Sequence, residues 1–224
     1  MLKKGTTAIG GVFKGTTEIA KIFKGTTLVY NKSILPPGYT ELEYIESTGT
    51  QYIDTGLKNT ECVEINSRVL VPTGTTATIV AGLWTRNAGE TNNSYVFAQL
   101  VPGSGIRNRT SNWNAYGGNI LENTIYSIDS ILKSGEQKLY LDGTLVYSDT
   151  QTLSTSSNNI YLIARGDGDT PRSLRIYSLQ CLDTNKNVLR NFIPAKNSSD
   201  VVGLYDLVNN VFYTNAGTGE FIGN

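Results

Sequence analysis

No twelve-residue stretch of this chain keeps the 3.6-residue spacing of apolar side chains that an amphipathic helix requires. Apolar and polar residues alternate instead. In residues 62–71, for example, the alternating apolar positions are Val63, Ile65, Val69 and Val71. Such alternation is typical of a half-buried strand, because successive side chains of a strand point to opposite faces. The pattern therefore predicts a chain of strands and turns.

Turn signals separate the apolar segments at regular intervals. Asp142-Gly143 lies between residues 138–141 and 144–147 and strongly favours a two-residue hairpin. Asn209-Asn210 predicts a second tight turn. Further strands are expected at residues 77–83, 95–100, 160–164, 174–182, 204–208 and 211–214. Many short strands joined by turns predict an all-β fold, a two-sheet antiparallel β-sandwich or jelly roll.

Charge and hydropathy exclude several classes of partner. Lys plus Arg and Asp plus Glu number 19 each, so no net charge favours nucleic acid or an anionic membrane. The chain has no apolar run of about eighteen residues for a transmembrane helix, and no apolar segment follows Met1 as a secretory signal requires. We therefore expect no nucleic-acid partner, no membrane partner and assembly in a cytoplasm.

The chain has no histidine, the commonest general base and a usual ligand of catalytic zinc. Its two cysteines, Cys62 and Cys181, are too few for a cysteine-based zinc site, and we expect both to be reduced core residues. Only carboxylate, Tyr or Lys chemistry remains. We expect no enzymatic activity, no cofactor and no metal.

The first thirty residues contain a repeat with a ten-residue period. The word Lys-Gly-Thr-Thr begins at Lys4, Lys14 and Lys24. Each copy predicts a turn at Lys-Gly followed by a short strand. Apolar side chains recur behind the copies, at Ile9, Phe13, Ile19, Ile22, Phe23 and Val29.

A ten-residue unit is too small to bury its own apolar side chains, so these need partners outside the unit. We expect residues 1–33 to anchor or oligomerise the protein, with a homotrimer or a docked stalk as the preferred arrangement. A flexible tail is the alternative. Pro36-Pro37 makes residues 34–38 a stiff linker, and residues 39–224 form the sandwich domain.

Three groups of residues in the second domain resemble a known family. They are LPPGYTELEYIESTGTQYIDTG at 35–56, LYLDGT at 139–144, and a closing group at 191–195, 202–206 and 212–221. Together they are similar to the concanavalin A-like (laminin G-like) jelly-roll domains of tail, baseplate and fibre proteins of phages and prophages of gut bacteria. The resemblance implies a virion location, other virion proteins as partners of the N-terminal repeats, and contact with bacterial surface polysaccharide.

One segment, residues 107–119, carries the side chains that sugar recognition uses. Flat aromatic rings stack on the C–H surfaces of sugars, while planar amides and Arg forks bond their hydroxyl groups. The predicted glycan-binding residues are Arg107, Arg109, Asn112, Trp113, Asn114 and Tyr116, with Asn92, Asn93 and Tyr95 supplied by an adjacent loop. The alternative is that Trp113 plugs one end of the sandwich and the Asn residues close turns.

A carboxylate cluster offers the only candidate for catalysis. Glu41, Glu43 and Glu46 match in spacing the acidic strand of laminarinase-type glycosidases. However, Glu43 replaces an Asp of that motif, and Glu46 fits only if a bulge shifts the register. The interpretation we prefer is an edge strand with an acidic outer face and with Leu42 and Ile45 partly buried.

A second acidic segment, residues 165–169, has Asp167 and Asp169 as candidate calcium ligands, although a solvated turn is the simpler interpretation. Three functions follow from the sequence. The preferred one is a phage fibre, tail or baseplate protein whose lectin-like domain binds host surface glycans. The alternatives are a purely structural head-fibre or decoration protein and a laminarinase-like glycoside hydrolase.

Overall fold

The protein is described from a computed structural model. The structure describes residues 3–4, 7–8, 13–14, 16–18, 21–24, 27–31, 34–84, 94–110, 115–153, 155–165 and 172–224. Its backbone contacts divide the chain into two units, Met1–Gly38 and Tyr39–Asn224. Within the described residues, no helix has the length and apolar character needed to cross a membrane.

The first unit consists of short strand pairs. Its strands are β1 (Lys3–Lys4), β2 (Thr7–Ala8), β3 (Phe13–Lys14), β4 (Thr17–Glu18), β5 (Lys21–Lys24) and β6 (Thr27–Asn31). Each pair is antiparallel, and the partners nearest the turn are Lys4 with Thr7, Lys14 with Thr17 and Lys24 with Thr27. The first and last residues of each Lys-Gly-Thr-Thr word are thus paired with each other, so strands lie on both sides of the word rather than only behind it.

The second unit contains the remaining strands. Its first half has β7 (Tyr39–Glu41), β8 (Ile45–Thr48), β9 (Ile53–Lys58), β10 (Glu64–Leu70), β11 (Thr78–Trp84), β12 (Ser94–Val101), β13 (Gly105–Arg109) and β14 (Ile125–Lys133). Its second half has β15 (Glu136–Leu141), β16 (Thr144–Asp149), β17 (Asn159–Leu162), β18 (Ser173–Leu182), β19 (Val188–Asn197), β20 (Val202–Asp206), β21 (Val211–Tyr213) and β22 (Ile222–Gly223).

These strands form two antiparallel sheets. The large sheet has the order β16-β15-β14-β10-β18-β19-β20-β21, with β8 paired to β18 and β22, and β7 paired to β19. The small sheet has the order β13-β12-β11-β17-β9. The predicted all-β, two-sheet antiparallel sandwich is confirmed.

The core lies between the two sheets because each strand turns alternate side chains inward. Ile65, Ile128 and Leu179 come from the large sheet, and Phe97 and Leu162 from the small one; all five are almost completely buried. Full burial of such a side chain contributes about 1.5–3 kcal/mol of hydrophobic stabilisation.

A polar contact also joins the two layers inside the core. Asn108 of β13 is fully buried, and its Oδ1 accepts a hydrogen bond from Ser130 Oγ of β14 at 3.0 Å. The same oxygen accepts the backbone N–H of Ala98 at 3.2 Å. Ala98 has a φ of 63°, and the pairing of β12 with β13 shifts register around it. The Asn108 side chain therefore supports a β-bulge as well as the contact between sheets.

The hairpin predicted at Asp142-Gly143 is confirmed. These two residues join β15 to β16, and their φ angles are 48° and 77°. Positive φ at both central residues defines a type I′ turn, whose twist matches that of the strands. The turn at Asn209-Asn210 is longer than a two-residue turn, because β20 ends at Asp206 and β21 begins at Val211.

Cys62 and Cys181 are free, buried thiols, as expected. The neighbouring Cys62 thiol, together with burial, raises the pKa of the Cys181 thiol. The Cys181 thiol is therefore protonated at neutral pH.

Candidate functional site

Two residues of the predicted glycan patch, Arg107 and Arg109, lie on β13, an edge strand of the small sheet. Burial alternates along this strand: Ile106 and Asn108 are fully buried, whereas Arg107 and Arg109 are half-buried. The two arginines therefore share the outer face of the small sheet, as successive odd positions of a strand do. Their role in glycan binding stays a prediction.

Gly117, the next residue in the chain, positions Tyr116 beside β13. Gly117 forms an isolated antiparallel bridge with Ile106, with hydrogen bonds of 2.8 and 2.9 Å in the two directions. The segment packs closely, since a Cβ added to Gly117 would lie 2.4 Å from the Val146 carbonyl oxygen. Only glycine fits here, and the bridge places Tyr116 beside Arg107.

The Arg107 guanidinium lies over the Tyr116 ring, 4.2 Å from its centroid. Arg107 Nε also donates a hydrogen bond of 2.8 Å to Gln99 Oε1 of β12. The guanidinium is thus held from two sides, in a geometry that suits a cation–π contact. The Tyr116 side chain is exposed on the surface. We refer to Arg107, Arg109 and Tyr116 as the β13 patch.

A third arginine joins the β13 patch from another loop. Gly82 pairs with Val96, and Val96 pairs with Arg109, so these three residues share one face of the sheet. A Cβ added to Gly82 would lie 3.5 Å from the Cα of Arg165, which places the Arg165 backbone over this outer face. Burial, followed by the positive charges of Arg165 and Arg107, lowers the pKa of the Arg109 guanidinium.

Several predicted residues have a different outcome. Asn112, Trp113 and Asn114, and also Asn92 and Asn93, lie outside the described residues. The expectation for Tyr95 is wrong, because its side chain belongs to the core between the sheets. The reason is that Tyr95 pairs with the inward-facing Leu83, and paired residues point to the same face.

The side chains of the predicted anchoring residues lie outside the described part of the structure. Ile9 and Ile19 are outside the described residues. Phe13, Ile22, Phe23 and Val29 lie in strands β3, β5 and β6, and the structure describes their backbone only. Their role in anchoring or oligomerisation stays a prediction.

A second candidate surface, which sequence reasoning missed, crosses the outer face of the large sheet. Five polar side chains occupy one register position on five neighbouring strands, from β15 to β19: Tyr140, Asp129, Asn66, Gln180 and Asn191. All five are half-buried and lie on the face opposite to the core. We call this set the polar row. Adjacent members are separated by about one strand spacing, roughly 4.8 Å.

The side chains of the polar row carry hydrogen-bond donors and acceptors on the outer face of the large sheet. Gln180 Nε2 donates to Asn191 Oδ1 at 3.2 Å, whereas the buried Asn66 Oδ1 accepts no hydrogen bond from the described residues. Burial, followed by the nearby Glu64, raises the pKa of the Asp129 carboxyl group. The alternation of polar residues in each strand is visible in the sequence, but the alignment of the five strands is not.

The carboxylate cluster does not form one strand. Glu41 ends β7, which pairs with β19, whereas Glu46 belongs to β8, which pairs with β18 and β22. The expectation of a single acidic edge strand is therefore wrong, because the chain changes partner strands between Leu42 and Tyr44. Ile45 is fully buried rather than partly buried.

Glu46 has a structural partner. Arg175 Nε donates a hydrogen bond of 2.7 Å to Glu46 Oε2, and Arg175 Nη2 lies 2.6 Å from the same oxygen. The same guanidinium lies 3.9 Å from the centroid of the Tyr44 ring. This arrangement holds β8 to β18 by an ion pair stacked on an aromatic ring. It is typical of a structural contact.

No group of three or more Asp, Glu, Cys or His side chains with the geometry of a metal site occurs in the described part of the chain. Asp167 and Asp169, the candidate calcium ligands, lie outside that part.

Comparison with known proteins shows a fold rather than a family. No family model matches the sequence, and no curated protein matches it. A carbohydrate binding module of Bacillus subtilis aligns with 67% of this chain and 93% of its own, at 15% identity and a TM-score of 0.39. A galectin of Caenorhabditis elegans aligns with 64% and 95%, at 8% identity and a TM-score of 0.41.

A longer alignment is found with a structure from Bacteroides ovatus titled "putative carbohydrate binding protein". It covers 90% of this chain at 9% identity, with a TM-score of 0.53. This chain spans 64% of that one. The second unit of this chain is therefore similar in fold to jelly-roll β-sandwich proteins.

Proposed function

We propose that this chain is a non-catalytic, glycan-binding component of a phage virion, a fibre, tail or baseplate protein, and that its sandwich contacts host surface polysaccharide through the β13 patch. The observation that carries the binding proposal is the Arg107 guanidinium held over the exposed Tyr116 ring by Gln99. An aromatic ring and an oriented guanidinium side by side are the two elements that sugar recognition combines.

The fold is compatible with this proposal. This chain aligns over 90% of its length with the Bacteroides ovatus structure titled "putative carbohydrate binding protein". The likeness concerns the backbone alone. The argument for sugar binding therefore depends on the side chains of the β13 patch.

The virion proposal depends on other features. The opening and closing motifs of the second unit resemble those of phage tail and fibre proteins, and the first unit repeats one hairpin three times within the described strands. Repeated hairpins with recurring apolar residues suit docking to other virion proteins or to further copies of the chain. A multivalent assembly would also raise the avidity of weak glycan contacts.

A non-catalytic role is favoured by the local structure around the carboxylates. Glu46 is engaged by Arg175, and Glu41 lies on a different strand. A retaining glycosidase needs two carboxyl groups about 5 Å apart across the scissile bond. The ion pair of Glu46 instead serves the contact between β8 and β18.

A glycan array probed with the full chain at high valency tests the binding proposal. We expect binding to bacterial surface glycans that Tyr116→Ala reduces about tenfold, because a stacking aromatic contributes about 1–1.5 kcal/mol. Tyr140→Ala is the matched change on the polar row. Loss of binding with Tyr140→Ala but not with Tyr116→Ala would move the site to the large sheet and contradict the proposal.

A second assay tests the absence of catalysis. The full chain is incubated with the glycans that it binds, and reducing ends are measured over time. We expect no release. Release that disappears in Glu41→Gln would establish a glycoside hydrolase and overturn the proposed function.

A further inference from the structure

The two units of the chain carry opposite net charges. The unit Met1–Gly38 contains six lysines, no arginine and one acidic residue, Glu18, which gives a net charge of +5. The unit Tyr39–Asn224 contains thirteen Lys and Arg residues and eighteen Asp and Glu residues, which gives a net charge of −5. The zero net charge of the whole chain is therefore the sum of a basic part and an acidic part.

Neither unit can neutralise its own charge. One glutamate balances only one of the six lysines in the first unit, and the thirteen cations of the second unit leave five of its acidic groups unbalanced. An excess of one sign destabilises a compact unit by self-repulsion, which a surface of the opposite sign relieves. The two units are thus complementary in charge.

The lysines of the first unit recur at equivalent positions. The first strand of each of the three described strand pairs ends on a lysine, Lys4, Lys14 or Lys24. Phe13 directly precedes Lys14, which is exposed, and Phe23 directly precedes Lys24. Two of the strand pairs therefore present an aromatic residue followed at once by a cation.

One surface of the second unit has the matching combination of apolar side chains and carboxylates. Val201 and Ile222 are exposed apolar residues. Glu41, Glu43 and Glu220 are exposed too, and none of their carboxylates forms an ion pair within the part of the chain that the structure describes. We call these five residues the β22 surface.

Strand β22 brings the members of this surface together. A Cβ added to Gly223 would lie 2.6 Å from Leu42 Cδ1 and 3.1 Å from Val202 Cγ1. Leu42 is flanked by the first two glutamates of the surface, Val202 follows its valine, and Gly223 follows its isoleucine. Val202 also lines a cleft of about 250 Å³ together with Glu220 and Phe221.

We propose that the first unit of one copy of the chain docks on the β22 surface of a second copy. The lysines of the strand pairs meet the glutamates, and the adjacent phenylalanines pack on Val201, Ile222 and the cleft. This inference rests on the docking role proposed for the repeats, and it names the partner and the surface. Such a contact joins two different surfaces, so it can close a ring such as a trimer.

The sandwich of the same copy and nucleic acid are the other candidate partners of a basic unit. Pro36-Pro37 stiffens the linker, which hinders the chain from folding back on itself. The net negative charge of the second unit opposes binding of nucleic acid. A second copy supplies both the carboxylates and the apolar side chains.

The mass of the full chain tests the inference when light scattering is measured at several protein concentrations in low and high NaCl. We expect a concentration-dependent oligomer whose dissociation constant rises about tenfold at high salt, because salt screens exposed charges. Labelled single-stranded DNA is the probe for nucleic acid, and we expect it to leave the oligomer intact.

Charge reversal identifies the two surfaces. Lys14→Glu with Lys24→Glu reverses the first unit, and Glu43→Lys with Glu220→Lys reverses the β22 surface. Each double variant alone is expected to associate about tenfold more weakly, because like charges then face each other. An equimolar mixture is expected to regain the wild-type mass, since the reversed surfaces complement each other between copies. Glu136→Lys, on β15, is the control that keeps the oligomer.

The outcomes separate this inference from the roles that it builds on. A mixture as dissociated as the separate variants overturns it, and so does DNA that dissolves the oligomer. An oligomer insensitive to salt and to all four substitutions overturns it but leaves docking through the repeats in place. A wild-type chain that is monomeric at every concentration overturns both. Glycan binding by the β13 patch is measured separately on the array, and circular dichroism checks that each variant keeps its strands.

Discussion

At the scale of single residues, the end of β20 depends on one buried carboxylate. Asp206, at the end of β20, is fully buried. Its Oδ1 accepts the backbone N–H groups of Asn191 at 2.9 Å and Val208 at 3.0 Å, and its Oδ2 accepts Asn209 Nδ2 at 2.9 Å. Arg190 Nε lies 3.6 Å from the same carboxylate. One carboxylate thereby ends β20 and orients the turn that follows it.

Asp206→Ala is expected to lower the free energy of unfolding by about 3 kcal/mol. The change leaves backbone donors without an acceptor and a largely buried Arg190 without its counter-charge. Urea denaturation followed by tryptophan fluorescence measures the effect. Lys196→Ala is the control, since it removes an ion pair, with Asp200, that lies at the surface. Equal stability of the Asp206 variant and the wild type would contradict this account.

Tyr147 provides a pH-dependent contribution to stability. Burial, followed by the hydrogen bond that its hydroxyl donates to Asp149 Oδ2 at 2.9 Å, raises the pKa of Tyr147 to about 12. A pKa raised above its unfolded value of 10.0 means that the contribution is complete below pH 10 and is lost as pH rises toward 12.

Comparison with Tyr147→Phe tests this. We expect the wild type to be more stable than the variant at pH 8, and the difference to shrink between pH 10 and 12. The free energy of unfolding is measured by urea titration at each pH. Both proteins share all other titrating groups, so a change with pH in the difference between their free energies of unfolding comes from Tyr147. A difference that stays constant up to pH 12 would show that the hydroxyl titrates normally.

At the scale of elements, turn chemistry determines how β15 and β16 pair. The type I′ turn requires positive φ at Asp142 and Gly143, and Asp142 Oδ1 also accepts the Ser127 backbone N–H at 2.8 Å. The turn thus holds β16 on β15 and, through Ser127, both strands on β14.

Gly143→Ala is expected to destabilise the protein by about 1 kcal/mol, because a Cβ is disfavoured at a φ of 77° although no neighbour lies within 4 Å of its position. Asp142→Asn should be nearly neutral, since Asn-Gly suits the same turn and retains the oxygen that Ser127 requires. Thermal denaturation of both variants measures the difference. An equal loss in both would point to the Asp142 charge rather than to the backbone angle.

At the scale of the whole molecule, the two units differ in the apolar core that each can form by itself. The second unit encloses a core between two sheets. The first unit, Met1–Gly38, consists of hairpins of two to five residues per strand, which bury little by themselves. We therefore expect the repeats to contribute association and the sandwich to contribute ligand binding.

The full chain is expected to be an oligomer, a trimer in the preferred arrangement, and a chain that begins at Leu35 is expected to be a monomer. Apolar side chains of the repeat need partners outside their own hairpins, and another copy of the chain supplies them. Light scattering coupled to size exclusion measures the mass of each protein. Circular dichroism confirms that the shortened chain keeps its strands. Two monomers would refute oligomerisation through the repeats.

The sequence by itself determined the local features of this protein. Alternation in residues 62–71 and the Asp142-Gly143 pair predicted strands and a hairpin that the structure contains, because both signals depend on neighbouring residues alone. The ten-residue repeat is likewise a property of the sequence.

Tertiary structure alone decided which strands meet and in which register. Asn66 and Asp129 are neighbours across β10 and β14, although many residues separate them in the chain. The polar row, the separation of Glu41 from Glu46, the inward position of Tyr95 and the approach of Arg165 to β13 all depend on such pairings. The physical reason is that neighbouring residues in the chain specify whether apolar and polar side chains alternate along a strand. Packing of the complete core selects the partner strand and the face of the strand that is turned to solvent.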